Sequence, residues 1–281
     1  MSTPGVSTEL PANSRLGSWP VPLLWLALLA LSVANFAGWS ALRLPAGLLL
    51  GPMIGAIVLG VNGARIQVPR IPFLGAQALI AAMVAKSITP SILVTFSHQY
   101  WLFCTVILGT LLGATGIGWV ISRTGLISGA TAVYGTSPGA ANAMVILGEA
   151  EGADARLVAF MQFSRVLLVA VAAALVARFW AHAANAHAPA APWFGPVAWG
   201  NLALVLILAL IAQQFARVLR LQAWALLGPM ILLSGLHAAG WLQIDLPRWL
   251  LAAAYACLGW HIGLGFRREA LIHAEIGRAH V

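Results

Sequence analysis

The sequence of 281 residues has few charged side chains, and this scarcity excludes most classes of soluble protein. Charged residues make up 8% of the chain and hydrophobic residues 61%, and the mean hydropathy is +0.91. A soluble domain carries about 25% charged residues, because water must solvate its surface. The composition therefore predicts an integral membrane protein whose surroundings are the lipid bilayer.

Clustered metal ligands and enzyme signature motifs are also lacking. The two cysteines lie in separate apolar runs, and the seven histidines are scattered among loops and span ends. No pair of these residues has the spacing of metal ligands on one helix, and nothing indicates a disulfide. The sequence contains no phosphate-binding loop, nucleophile elbow or dinucleotide fingerprint. We therefore predict no enzyme, no catalytic residue, no metal and no cofactor.

The excess of basic residues does not require a nucleic acid. The 15 Lys and Arg residues outnumber the 7 acidic ones, but basic residues gather at the cytoplasmic ends of membrane spans. The polar N-terminus, residues 1–18, is too short to form a DNA-binding domain. We expect no nucleic-acid partner and a location in the bacterial inner membrane, with the N-terminus in the cytoplasm.

Long hydrophobic runs dominate the rest of the chain. They are rich in Leu and Ala and lack strict alternation, so the sequence predicts an all-α, polytopic bundle of transmembrane helices. The predicted segments are 19–42, 46–63, 74–96, 100–122, 126–148, 156–181, 197–216, 221–240 and 249–266.

An internal repeat relates the two parts of the chain. LPAGLLLGPMI at 44–54 returns as LQAWALLGPMI at 221–231, each copy following an apolar span that ends in arginine. The repeat predicts a first membrane domain at 19–181, a linker rich in Pro, Ala and His at 182–196, and a second membrane domain at 197–274. The polar tail EIGRAHV, 275–281, stands where another apolar span is expected. We interpret it as non-native and the second domain as incomplete.

The segment 126–148 breaks the rules for a membrane helix. Gly135 to Gly139 are small, polar or helix-breaking, and Pro138 lacks the backbone N–H that a continuing helix needs. Ser137 is a suitable N-cap, with Pro138 at the first position of a new half-helix. If both halves enter from one side, most arginines near span ends fall on the cytoplasmic side, as the positive-inside rule prefers. We therefore predict a broken, re-entrant helix and two repeats of opposite orientation.

Irregular backbone at membrane depth occurs where it is buried in protein or lines a polar cavity, so we interpret the break as a substrate-binding site. The hydroxyls of Thr136 and Ser137 and the amides after Pro138 are predicted to hold an acidic group at the positive end of a half-helix. Arg165 or Lys86 would supply the counter-charge. The candidate binding residues are Tyr134, Thr136, Ser137, Pro138, Gly139, Ala140, Asn142, Gln162, Arg165 and Lys86.

Structural alternatives stay open for the same residues. The break can be a kink that only lets helices pack closely. Gln162 and Arg165 share one helix face and can form an interhelical polar clamp, or can meet a counter-charge such as Glu149 or Glu151. Lys86 can lie at a helix end and extend to the membrane interface.

The repeated LPAGLLLGPMIGA and the block YGTSPGAANAMVILGEAEGADARLVAFMQFSRVLLV resemble the AbrB-duplication family of bacterial membrane proteins, over roughly 19–274. The resemblance implies two copies of the domain, each with an SPG motif in a broken helix, and this chain shows only the first motif. The family carries two labels, regulator of gene expression and ammonia monooxygenase. The second does not fit, because the histidines are not clustered. A regulator without a DNA-binding domain would act indirectly.

These observations lead to two functional hypotheses. The first is a secondary carrier or exporter of a small anionic metabolite. The second is a membrane sensor or regulatory protein, in which the same break binds a ligand or partner without transport. Association into a homo-oligomer is compatible with either.

Overall fold

The computed structural model describes residues 16, 18–41, 46–88, 90–125, 127–139, 141–181, 192–218 and 224–266. Within these ranges the chain is helical and has no strand, which confirms the predicted all-α fold class. The helices are α1 (Val21–Ala41), α2 (Gly47–Val61), α3 (Arg70–Ser87), α4 (Pro90–His98), α5 (Tyr100–Arg123), α6 (Gly129–Thr136), α7 (Ala141–Ala150), α8 (Ala155–Ala181), α9 (Trp199–Val218), α10 (Trp224–Ala238) and α11 (Arg248–Gly263).

Some predicted boundaries fall outside the described ranges. The polar N-terminus and the linker 182–196 are described only in part, and the tail 275–281 lies outside the described residues. The predicted segment 74–96 is two helices, α3 and α4, because the chain becomes extended at Ile88 just before Pro90. The re-entrant path, the two repeats and the domain boundaries stay predictions.

Three of the described helices are long and apolar enough to cross a membrane: α1, α5 and the first 23 residues of α8. Their large apolar side chains face outward, and α5 is almost entirely exposed, with Leu112 70% accessible. Such a surface is stable in contact with lipid chains and unstable in water. These helices indicate a membrane-associated protein.

The closest helix contacts surround α2. Glycines let the backbones of α1 and α11 approach it, since a Cβ at Gly51 would lie 2.8 Å from the backbone nitrogen of Phe36 on α1. A Cβ at Gly259 on α11 would likewise lie 2.8 Å from the carbonyl oxygen of Leu49. Small residues at such interfaces allow the close van der Waals packing that holds membrane helices together.

Two helices contain an internal proline, Pro52 in α2 and Pro229 in α10, and both continue through it. α2 packs against α1 and α11, whereas α10 packs against α9 and α3. Each proline-containing helix therefore contacts the helix before it and a helix from the other part of the chain.

Helices α5 to α8 form a second group. α6 packs against α5 and α8, and α7 packs against α8 and α6. The two groups join where Ala174 of α8 contacts Leu50 and Met53 of α2, and where Phe160 and Phe163 approach the ring of Phe266. This arrangement places α8 between two parts of the molecule. On one side lie α2 and the helices packed on it, which we call the α2 core; on the other lie α6 and α7, which we call the interrupted segment.

Candidate functional site

The interrupted segment is broken between α6 and α7. The hydroxyls of the last residue of α6 and of its C-cap bond back to carbonyl groups of that helix. Thr136 Oγ1 donates to the carbonyl oxygen of Ala132 at 2.8 Å, and Ser137 Oγ donates to that of Val133 at 2.6 Å. Ser137 is extended, with ψ of 129°, as a residue before proline prefers. The chain therefore leaves the helix at Ser137, and helix resumes at Ala141.

The predicted capping role of Ser137 is wrong. Ser137 is the C-cap of α6 instead of the N-cap of the next helix, and Pro138 precedes the start of α7 at Ala141 instead of occupying its first turn. The hydroxyl hydrogens of Thr136 and Ser137 are used within α6. In this conformation the two hydroxyls have only acceptor capacity left for a ligand.

Two side chains of α8 bind the carbonyl groups that the break leaves free. Gln162 Nε2 donates to the carbonyl oxygens of Tyr134 at 2.7 Å and Ser137 at 3.0 Å. Arg165 Nη1 donates to the carbonyl oxygen of Ser137 at 2.8 Å, and Nη2 to that of Gly139 at 3.2 Å. We call these two side chains and three carbonyl groups the break cluster.

The charge of Arg165 suits this position. The last carbonyls of a helix have no partners within the helix and form the negative end of its dipole, so a cation beside them is stabilising. Gln162 and Arg165 are three residues apart on one face of α8, and that face meets the break, where the two side chains form the polar clamp that the sequence left open as a structural alternative. Their described partners are backbone carbonyls, and neither Glu149 nor Glu151 supplies the counter-charge.

The break cluster keeps unused hydrogen-bonding capacity. Gln162 is fully buried, and its Oε1 has no hydrogen-bond partner among the residues that the structure describes. In its contacts with described residues, Arg165 uses two of its five N–H donors, and its side chain is partly accessible. The cluster therefore offers donors and one acceptor to a bound molecule.

The side chains of the other predicted site residues make no described hydrogen bond to the break cluster. The Tyr134 side chain packs beside Gly148 of α7, and its carbonyl oxygen is the group that joins the break cluster. Pro138 and Gly139 are exposed in the break. Ala140 and the side chain of Asn142 lie outside the described residues, although Asn142 belongs to the first turn of α7.

Lys86 has a different partner. It lies in the last turn of α3, and its Nζ is 3.0 Å from Oδ1 of Asp245, with both side chains at least half exposed. The packing contacts of α3 are with α9, α10 and α11, whereas the break packs against α5 and α8. The structure thus assigns Lys86 to an exposed ion pair at a helix end.

Sequence reasoning missed a second connection across the break region. Thr131 of α6 is buried, and its Oγ1 accepts from the backbone N–H of Asp154 at 2.9 Å. Asp154 accepts from the backbone N–H of Arg156 at 2.9 Å as the cap of α8. The position of an aspartate just before an apolar helical run is the signal that predicts such a cap. This link fixes the start of α8 relative to α6.

A cavity of about 450 Å³ lies elsewhere, between α1, α3 and α11. Its walls are almost entirely apolar, with Trp25, Leu79 and Trp260 among the lining residues. Such walls offer an anion no hydrogen bonds. Among the described residues, no group of three or more His, Cys, Asp or Glu side chains is placed to hold a metal ion.

Comparison with known proteins gives the family. The model of the family described as "Transition state regulatory protein AbrB" matches residues 48–277. A protein of Escherichia coli (strain K12), named "Putative regulator AbrB", is 43% identical over 256 residues, which cover 90% of this chain and 72% of the relative. No solved structure matches the chain. The predicted family is confirmed: the chain belongs to the AbrB family of proteins.

Proposed function

We propose that this protein is a multi-pass inner-membrane carrier that binds a small anionic metabolite at the break between α6 and α7. The observation that carries the proposal is Arg165, an arginine in the middle of an apolar span, which donates two of its five N–H groups to break carbonyls among the described residues. Ionisable residues inside spans are energetically costly and mark substrate pathways. The proposed function requires no enzyme chemistry and no nucleic acid.

The geometry of the break cluster supports anion binding for a physical reason. Two carbonyl groups fix the guanidinium before any ligand arrives, so binding does not have to order a flexible side chain. A planar guanidinium recognises a carboxylate through two parallel hydrogen bonds. The first turn of α7 adds backbone N–H groups at the positive end of a helix of ten residues.

The second candidate function is a membrane sensor that binds the same ligand without moving it. The family description and the name of the relative both refer to regulation, which favours this alternative. Such a regulator would act through a partner protein. Transport and sensing use the same site in this account and differ in whether the ligand crosses the bilayer.

Uptake into proteoliposomes tests the proposal. Vesicles containing the protein are supplied with radiolabelled short carboxylates (acetate, lactate, succinate and malate), and three proteins are compared: wild type, Arg165→Gln and Lys86→Gln. We expect uptake by wild type and by Lys86→Gln, since Lys86 belongs to an exposed ion pair, and loss of uptake by Arg165→Gln.

The outcomes separate the candidates. Binding without uptake by wild type would identify the sensor. Equal uptake by Arg165→Gln and wild type would show that Arg165 does not hold the substrate and would contradict the proposed site.

A further inference from the structure

The unsatisfied oxygen of Gln162 specifies more about the ligand than its charge. The two partners of the amide nitrogen, the carbonyl oxygens of Tyr134 and Ser137, can only accept, so the nitrogen must face them and Oε1 must face away. Oε1 is buried and has no donor within the described residues. A buried acceptor without a donor is costly, so a donor from a bound molecule would stabilise it.

Gln162 and Arg165 meet at one carbonyl group of the break. Both side chains donate to the carbonyl oxygen of Ser137, so the amide and the guanidinium lie side by side. A ligand that satisfies both needs a negative group for Arg165 and an O–H or N–H donor beside it for Gln162 Oε1. A plain carboxylate satisfies only the first.

We propose, resting on the proposed function, that the ligand is a 2-hydroxycarboxylate, whose carboxylate binds Arg165 and whose hydroxyl donates to Gln162 Oε1. A hydroxyl on the carbon next to the carboxylate puts donor and anion side by side, as the two protein groups are. An ammonium at that carbon would also donate, but it would add a positive charge next to the guanidinium. The neutral hydroxyl fits the site better than the ammonium.

Matched pairs of carboxylates test this inference on the purified chain in lipid nanodiscs. The affinities of lactate and propanoate, and of malate and succinate, are measured by calorimetry or tryptophan fluorescence, with alanine as the amino analogue of lactate. We expect each hydroxy acid to bind about tenfold more tightly than its partner, the effect of one well-made hydrogen bond. Alanine should bind more weakly than lactate.

Two variants locate the effect. Gln162→Met removes the acceptor and should abolish the preference for hydroxy acids, so that lactate and propanoate bind this variant with equal affinity. Arg165→Gln should weaken both members of each pair. Because Gln162→Met also loses two hydrogen bonds to the break, its folding is checked by size-exclusion chromatography. The wild-type comparison of pairs stands without it.

Each contrary result has a distinct meaning. Equal affinity within the pairs, with both weakened by Arg165→Gln, would overturn the 2-hydroxycarboxylate and leave the anion site standing. Tighter binding of alanine than of lactate would overturn the hydroxyl in favour of an amino group. A failure of all five carboxylates to bind wild type would overturn the proposed site and this inference with it.

Discussion

Pro52 and Pro138 both lie in apolar stretches of this chain, yet the helix continues through Pro52 and is interrupted at Pro138. α2 is a helix of 15 residues that continues through Pro52, and α10, of the same length, continues through Pro229. At Pro138 the helix stops, since α6 ends at Thr136 and α7 begins at Ala141. The missing backbone N–H is common to all three positions, so proline alone does not account for the break.

The difference lies in the polar groups around each proline. Pro52 is buried among apolar neighbours, and Leu50 and Met53 beside it are fully buried. These apolar side chains cannot donate hydrogen bonds to carbonyl groups that an opening of the helix would expose. Around Pro138, hydroxyls bind the last carbonyls of α6, and Gln162 and Arg165 donate to the carbonyls that opening exposes. Exposed backbone groups at membrane depth need such partners. The break is therefore stabilised by α8, and four predictions test this comparison in order of decreasing effect.

Arg165→Gln should affect the break most. It removes charge-assisted hydrogen bonds to Ser137 and Gly139, and bonds to charged groups contribute about 1.5–3 kcal/mol each. We expect a clear fall in the melting temperature and a loss of carboxylate affinity of at least about tenfold. Arg156→Gln, an exposed arginine in the first turn of α8, is the control and should behave like wild type. Equal stability of the two variants would show that α8 does not hold the break open.

Gln162→Met should have a smaller effect on stability. The substitution leaves the carbonyl oxygen of Tyr134 without a side-chain donor, but it also removes the unsatisfied Oε1. We expect a loss of about 1–3 kcal/mol of unfolding free energy, measured by denaturant titration in detergent. A loss as large as that of Arg165→Gln would contradict the dominant role assigned to the charge.

Pro138→Ala should change the break little. If the donors from α8 hold the chain open, restoring one backbone N–H does not rejoin α6 and α7. We expect a cysteine at Ser137 to react with a water-soluble reagent equally well with and without the proline. Protection of that cysteine by Pro138→Ala would mean that the proline itself causes the break.

Pro52→Ala should leave ligand binding unchanged. α2 is continuous through this residue and makes no contact with the break cluster among the described hydrogen bonds. Carboxylate affinity in nanodiscs is the measurement. A fall comparable to that of Arg165→Gln would indicate that the α2 core, instead of the break, holds the ligand.

The sequence predicted the position of the break, because glycine and proline inside an apolar run do not favour a continuous helix. It left open whether Gln162 and Arg165 of α8 meet the break or an acidic side chain. The direction that it predicted for the Ser137 cap was wrong, because Ser137 caps the helix before it. A serine before proline can serve the helix on either side, and the choice depends on the reach of its hydroxyl to Val133. The ion-pair partner of Lys86 was also not predicted, because Asp245 is 159 residues away in the sequence and only the packing of α3 brings the two together.

The most direct measurement of the central claim is the water accessibility of the break in proteoliposomes. A single cysteine is placed at Ser137 in a chain without Cys104 and Cys257, with Ser97→Cys as the exposed control and Ser32→Cys as the buried control. The account predicts that the cysteine at 137 is labelled like that at 97, and that lactate slows this labelling. Protection at 137 equal to that at 32 would mean a dry, packed kink and would contradict a ligand site at the break.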